Sequence, residues 1–401
     1  MKKITVRETE ILQWIRENPL ISQNELAEKA GITRSSVSVH ISNLIKKGLI
    51  LGKGYVTGGS KPVTVIGAVN IDISASASAS FRKADSNPGK IKVSAGGVGF
   101  NIASNSALLG VPVCFISAFG GDTHASFLKH KCLERGLDIS ASLTVDTAVS
   151  SCYVCINNED GDMVSAVNDM DIYEHITPEY IEKKLPLINK SALCVIDTNI
   201  PARTIAYIAE HCTVPLIAEP VSAHKAVKLL PVLHKLYALT PNKMEAFALY
   251  NASSQNSLLH TGAKYGGKPD GSPALAELAR FFIESGVRRI YISLGEKGLF
   301  CADKNARYRV KPFVPENADR VRKTMRKGAD STKGAQHIIK NTTGAGDSQT
   351  AAVVWAILKN MSLKESADAG IAAASLCLES EEAVNDNLTE GVLYERIQKI
   401  S

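Results

Sequence analysis

A chain of 401 residues, 45% hydrophobic and 21% charged, has the balance of an ordinary globular protein and the length for one large domain plus a small one. No apolar run approaches the roughly 18 residues a membrane helix needs, and the start, M-K-K-I-T-V-R-E-T-E, places charges where a secretory leader needs its apolar core. These features exclude a membrane partner and point to a cytoplasmic protein. The net charge of +6 is concentrated early: residues 1–60 carry nine Lys or Arg against five Glu. Of the eight cysteines only Cys152 and Cys155 form a C-x-x-C, inside the apolar run S-C-Y-V-C-I-N with no second pair, which reads as core packing and not as a zinc or redox site.

From Arg7 to Asn18 the residues Ile11, Leu12, Trp14 and Ile15 recur at helical spacing, and Asn18-Pro19 closes the run. Ser22 or Gln23 opens a second short helix that ends at Gly31. Thr33 caps a third, in which Val37, Ile41 and Leu44 share a face. The string L-I-L-G-K-G-Y-V then reads as a hairpin. Three helices and a hairpin make a winged helix-turn-helix, and I-S-Q-N-E-L-A-E-K-A-G-I-T-R-S-S-V-S-V-H-I resembles the MarR/AsnC-type modules. The resemblance implies DNA binding, with Arg34, Ser35, Ser36 and Ser38 at the major groove and Lys46, Lys47 and Lys53 at phosphates. A module kept for dimerisation or domain packing is the alternative.

Gly59 to Pro62 reads as a linker, which places the first domain at 1–58 and the second at 59–401. Val63 to Ile73 reads as a buried strand with Asn70 and Asp72 at its carboxyl end, where open α/β sheets keep ligands. Asp72 is either an acceptor for two adjacent hydroxyls or a strand-end turn residue. S-A-S-A-S-A-S, Ser74 to Ser80, is a half-exposed strand or a low-complexity loop. In A-G-G-V-G-F-N-I-A, Gly96 and Gly97 allow close backbone approach to a ligand, and Asn101 starts an Ala-rich helix beside it. Ser151–Asn157 and Met163–Val167, joined by N-E-D-G-D, form a hairpin. From Ala192 strands and helices alternate, which predicts a parallel sheet covered on both faces. Residues 251–273 and 320–336 read as surface insertions; the basic charge of the second either attracts an anionic nucleotide or is simply solvated.

The most informative stretch is N-T-T-G-A-G-D-S, Asn341 to Ser348, followed by an apolar helical run. Gly344, Ala345 and Gly346 then sit at a helix N-terminus, where unpaired N–H groups and the dipole suit an anion. Asp347 weakens such a site unless it acts as a general base; otherwise it is a helix-start acid. N-T-T-G-A-G-D resembles the D-T-x-G-A-G-D signature of the PfkB, or ribokinase-like, carbohydrate and nucleoside kinases, with Asn341 where that family more often has Asp.

Four further motifs agree in order: G-x-x-N-x-D ending at Asp72, G-G-x-x-x-N-x-A from Gly96, and T-P-N-K-M-E and S-L-G-E-K-G resembling T-P-N-x-x-E and T-L-G-x-x-G. The resemblance implies a doubly wound α/β sheet with a small β lid at about 72–95 and 145–170, and a homodimer through that lid. It also implies ATP-dependent phosphorylation of a primary hydroxyl. Asp347 would be the base and residues 344–346 the oxyanion cradle; Asn70, Asp72, Gly96, Gly97 and Asn101 would bind substrate. Asn242 and Glu245 would orient Mg²⁺ and phosphates, while Ser293, Gly295 and Gly298 would contact the nucleotide. A monovalent cation such as K⁺ is common near the loop, and Glu219 is either close to the metal or a helix-start acid. A-V-N-D-M-D-I-Y-E-H-I-T-P and E-P-V-S-A-H-K-A resemble the pseudouridine kinase branch, which places Asp169 near the base or ribose. Inosine and ribose follow as alternative substrates, and a nucleoside-sensing transcription regulator remains the alternative of a different class.

Overall fold

The computed structural model describes residues 5–18, 21–47, 49–50, 61–78, 80–82, 84–159, 162–256, 274–313 and 341–400. They divide into two compact units, Met1–Lys61 and Pro62–Ser401. In the first, helices Val6–Glu17, Gln23–Ala30 and Arg34–Lys46 start at Thr5, Ser22 and Thr33, each side chain accepting an N–H three residues on. Glu8 and Glu25 complete reciprocal capping boxes, and Gly31 (φ 62°) ends the second helix. Ile11, Leu12, Ile15, Leu26, Val37, Ile41, Leu44 and Ile50 form a core of its own. The predicted hairpin lies, beyond Ile50, outside the described residues.

The second unit is built on an eight-stranded sheet. Its strands are β1 (Val63–Ile66), β4 (Val113–Ile116), β9 (Leu193–Asp197), β10 (Leu216–Glu219), β11 (Ala238–Leu239), β12 (Arg289–Ser293), β13 (Leu299–Asp303) and β14 (Arg307–Val310). The order is β14-β13-β12-β11-β10-β9-β1-β4, parallel from β12 to β4 and antiparallel at the β13–β14 edge. Alternation along the strands feeds two cores: Val63, Val65 and Val195 pack with helices Val98–Leu108, Ala345–Leu358 and Leu363–Cys377, whereas Ile66, Cys194 and Ile196 pack with Ala202–His211 and Leu275–Glu284.

A separate sheet, ordered β3-β2-β7-β8, comprises β2 (Asn70–Ala77), β3 (Gly89–Gly96), β7 (Cys152–Asn157) and β8 (Met163–Asp169). A short parallel pair, β5 (Ala118–Gly120) and β6 (Leu143–Val145), completes the strands among the described residues. Two sequence expectations change. The strand expected from Val63 to Ile73 breaks after Ile66, so Asn70 and Asp72 begin the second sheet and do not end the first. Gly67 still donates to the Ile116 carbonyl at 3.1 Å, but the Ala68 N–H turns to the Asp197 carboxylate and the Val69 N–H to Tyr173, and only glycine fits at 67 because a Cβ would overlap that carboxylate. The S-A-S-A stretch is accordingly strand, from Asn70 to Ala77. Residues 251–256, expected in a surface insertion, continue helix Lys243–Asn256; the rest of that stretch and all of 320–336 lie outside the described residues.

Candidate active site

The carboxyl ends of β1, β9, β10, β11 and β12 lie along one edge of the main sheet. The chain leaves β1 toward β4 on one side and returns to β9 on the other, so this edge contains a topological switch point. Asp197 closes the crevice floor: its Oδ2 accepts the Ala68 N–H at 2.8 Å and its Oδ1 the Asn199 N–H at 2.8 Å. Tyr173, a residue the sequence did not single out, holds the turn above it. Its hydroxyl accepts from the Val69 N–H at 2.8 Å and donates to the Val69 carbonyl.

Asp347 stands over this crevice in the first turn of helix Ala345–Leu358. Gly344 begins the helix at φ 83°, and a Cβ there would overlap the Ala383 carbonyl, so only glycine fits. The first helical hydrogen bond is Ser348 N–H to Gly344 O at 2.9 Å, leaving the N–H groups of Ala345, Gly346 and Asp347 outside the helix ladder. Asn101 Nδ2 donates to Asp347 Oδ2 at 2.8 Å, while Asn101 Oδ1 is buried without a partner. Burial pushes the Asp347 carboxyl up to about 7 against the pull of Asn101; the charges of Asp197, Glu245 and Asp72 push the same way.

On the substrate side, Asn70 Nδ2 donates to Asp72 Oδ1, and burial raises Asp72 to about 6. A Cβ on Gly96 would overlap the Asp72 carboxylate, and one on Gly97 (φ 102°) would meet the Ala68 carbonyl at 2.6 Å. The structure therefore brings Asn70, Asp72, Gly96, Gly97, Asn101 and Asp347 together. Asp169 stands apart: it is in register with Cys152 and Ile71, whereas the row through Asp72 runs to Tyr153 and Asn168. Adjacent rows face opposite sides of a sheet, so Asn168, which the sequence did not single out, shares the face of Asp72.

Toward the other end of the edge, Asn242 and Glu245 form a reciprocal cap. Asn242 N–H and Nδ2 donate to Glu245 Oε2 and Oε1 at 2.8 and 2.7 Å, and the Glu245 N–H returns to Asn242 Oδ1 at 3.0 Å. Behind it, Glu219 accepts from the Thr240 and Thr350 hydroxyls at 2.6 and 2.8 Å. Burial raises Glu219 well above the usual range, and the Glu245 and Asp347 charges add to this. Buried carboxylates held above their ordinary range side by side suit a hard cation shared with a phosphate chain. Among the described residues no three potential ligands converge closely enough to bind a metal unaided. Ser293 ends β12 with its N–H on the Pro241 carbonyl at 2.9 Å. Gly295 (φ 59°) has open space where a Cβ would stand, whereas Gly298 (φ 86°) is required by the nearby Val310 carbonyl.

A sequence profile described as pfkB family carbohydrate kinase matches residues 60–318 and 332–390. The chain belongs to this family. A profile described as winged helix-turn-helix DNA-binding matches residues 7–50. Among PfkB relatives, the Escherichia coli (strain K12) protein called uncharacterized sugar kinase YeiI is 29% identical over 96% of each chain. Pseudouridine kinase of the same strain is 30% identical over 82% of this chain and 93% of its own. The fold is shared with a putative sugar kinase from Clostridium perfringens (TM-score 0.66, 23% identity, 86% and 97% of the two chains). It is shared too with Arabidopsis thaliana ribokinase complexed with ribose and ATP (TM-score 0.65, 19% identity, 85% and 99%). As a PfkB kinase of the nucleoside and sugar group, the chain is a phosphotransferase with a hydroxyl acceptor.

In the winged-helix unit of this kinase, Arg34, Ser35 and Ser38 are exposed on the third helix, Ser36 is half-buried and hydrogen-bonds Thr33, and Lys46 is exposed. Lys47 differs from its expected place: its ammonium lies 2.7 Å from Glu8, which is 1% exposed, so it serves the domain core. Lys53 lies outside the described residues. No helix among the described residues is long and apolar enough to cross a membrane.

Proposed function

We propose that the chain transfers the γ-phosphoryl group of ATP to the primary 5′-hydroxyl of a ribonucleoside, with pseudouridine the first choice of substrate. One observation carries this reading: Asp347, with its carboxyl raised to about 7 and its Oδ2 held by Asn101, sits beside the free N–H groups of residues 345–347 and near Asp72. Asp72 and Asn70 accept and orient the ribose hydroxyls, Gly96 and Gly97 let the sugar approach the backbone, and Asn101 fixes the carboxylate that takes the proton. The N–H groups at the helix start stabilise charge on the transferring phosphoryl oxygens. Glu245 and Glu219 would hold Mg²⁺ through waters and the phosphates, and the ion would supply charge neutralisation there. Ser293 and Gly295 line the nucleotide side. A monovalent cation beside the Asn341 loop would add positive charge near the phosphates; Asn341 itself is tied to the chain, its Oδ1 accepting the Thr343 N–H at 2.9 Å and its Nδ2 donating to the Glu381 carbonyl at 3.3 Å.

The second sheet is the lid. One face carries Asp72, Tyr153 and Asn168, and the other carries Ile91, Val93, Ile156 and Val167, which are 37–73% exposed. That apolar face supports a homodimer through the lid. The exposed Arg34, Ser35, Ser38 and Lys46 support DNA binding by the first unit, and with it a regulatory role beside catalysis. The test is MgATP consumption against pseudouridine, uridine, inosine, adenosine, ribose and fructose. Turnover with pseudouridine above the others supports the reading; tight nucleoside binding without turnover of any compound replaces it with the sensor.

A further inference from the structure

We propose that Lys225 reads the aglycone of the substrate, donating a hydrogen bond to a ring carbonyl of the nucleobase. This rests on the nucleoside reading above and adds to it the side chain that separates a nucleoside from a free sugar.

The argument starts from the backbone. After Glu219 ends β10, Val221 is held at φ 67°, a left-handed conformation that a β-branched residue rarely adopts. The Ser222 N–H donates to the Pro220 carbonyl at 2.7 Å across it, which makes a γ-turn of the rare hand. Thr198 pins the turn from the neighbouring strand end: its N–H donates to the Glu219 carbonyl at 3.2 Å and its hydroxyl to the Pro220 carbonyl. Ser222 then accepts the Lys225 N–H at 3.3 Å and opens the short helix Ala223–Ala226.

This turn aims two lysines back at the loop after β9. Lys228 Nζ donates to the Thr198 and Ile200 carbonyls at 2.8 and 3.1 Å, so two of its three protons grip backbone. Lys225 Nζ donates to Asn199 Oδ1 at 2.6 Å. Burial pushes the Lys225 ammonium down and the Asp197 charge opposes that push; Asp197 already accepts an N–H on each oxygen, from Ala68 and Asn199. It therefore holds the ammonium in place by charge and leaves Lys225 protons for another acceptor. The same Asp197 charge is felt by Asp347. Lys225 is thus half-buried at the carboxyl edge of the sheet, bonded to the Asn199 that leans on Asp197, the carboxylate that also holds the Ala68 turn leading to Asn70 and Asp72.

A lysine only donates, so what it recognises must accept. On the reading above, the ribose hydroxyls go to Asp72 and Asn70. With the phosphate oxygens assigned to the helix start at Ala345 and to the Glu245 side, a neutral ring carbonyl, present on pyrimidine bases and absent from free ribose, is the acceptor left for Lys225. A strained turn that does no more than seat a surface lysine has no evident gain; one that fixes a donor before substrate arrives reduces the cost of ordering it.

The experiment compares wild type with Lys225→Met and Lys225→Arg, using pseudouridine and uridine against ribose, the last as substrate or as competitive inhibitor. In Lys225→Met the nucleoside KM is expected to rise about tenfold to a hundredfold, the loss of one charge-assisted hydrogen bond. Ribose should stay within about twofold, and Lys225→Arg should recover part of the loss. Val221→Gly, which relieves the strained φ, should raise the nucleoside KM several-fold with kcat held, and it carries the test if Lys225→Met fails to fold. An equal loss for nucleoside and ribose, or an unchanged nucleoside KM, overturns the role of Lys225 alone. A wild type that phosphorylates only free sugars overturns the nucleoside reading and this inference together.

Discussion

Asp347 has to accept a proton while surrounded by other acids. Burial and the charges of Asp197, Glu245 and Asp72 hold its carboxyl at about 7 in the fold against an ordinary value of 3.8. A base must be ionised, so kcat/KM should climb as pH rises to about 7 and then level, a profile read directly from initial rates. The stability consequence has the opposite sense. The folded site binds the proton more tightly than the unfolded chain, so this group's stabilisation is complete below 3.8 and lost as pH rises through about 7. At pH 8 the ionised carboxylate is a net cost. Asp347→Asn, which keeps the bond from Asn101, should therefore lower kcat by about 10³-fold or more while raising the melting temperature of the free protein at pH 8. A variant that melts below wild type there would show that the carboxylate is compensated by contacts other than Asn101.

The elements around the site are held by local bonds of two kinds. Caps such as Thr5 with Glu8, Ser22 with Glu25 and Asn242 with Glu245 span three residues, and their residue types announce them in the sequence. The clamp from Tyr173 to Val69 spans 104 residues, and nothing near either residue signals it. Tyr173→Phe leaves the Val69 N–H and carbonyl buried without their partner, and should cost about 1–3 kcal/mol in denaturant unfolding. Because Val69 precedes Asn70 and Asp72, the same variant should raise KM for the acceptor more than for ATP. Equal effects on the two would place the clamp in general stability only. Gly344→Ala combines a positive φ with overlap on the Ala383 carbonyl, and should lose at least tenfold in kcat through displacement of the N–H cradle.

At the scale of the molecule, the winged-helix unit and the kinase unit each own a hydrophobic core. Residues 62–401 alone should then fold and keep kcat within about twofold of the full chain, measured on the best substrate of the panel. Loss of most activity on truncation would show that the first unit supports the site. Within that unit, Glu8→Gln leaves the Lys47 ammonium without its carboxylate, and should destabilise the three-helix core by about 1–3 kcal/mol. The kinase transition should be left in place, which two separate melting events would report.

By itself the sequence determined the order of elements, the alternation of strand and helix, the helix starts, and the motif residues that meet at the site. These depend on spacing and on residue types whose effect is local, such as glycines before a helix or a hydroxyl at its cap. Only the tertiary structure decided where β1 stops, because the Ala68 N–H is taken by Asp197, 129 positions away, and the Val69 N–H by Tyr173. It decided that Asn168 and not Asp169 shares the face of Asp72, because that phase follows from the pairing of β7 with β2. It turned Lys47 inward to Glu8, and it set Lys225 beside Asp197 through a strained turn. In each case the cause is a contact between residues far apart in the chain, whose spacing leaves no mark in the sequence between them.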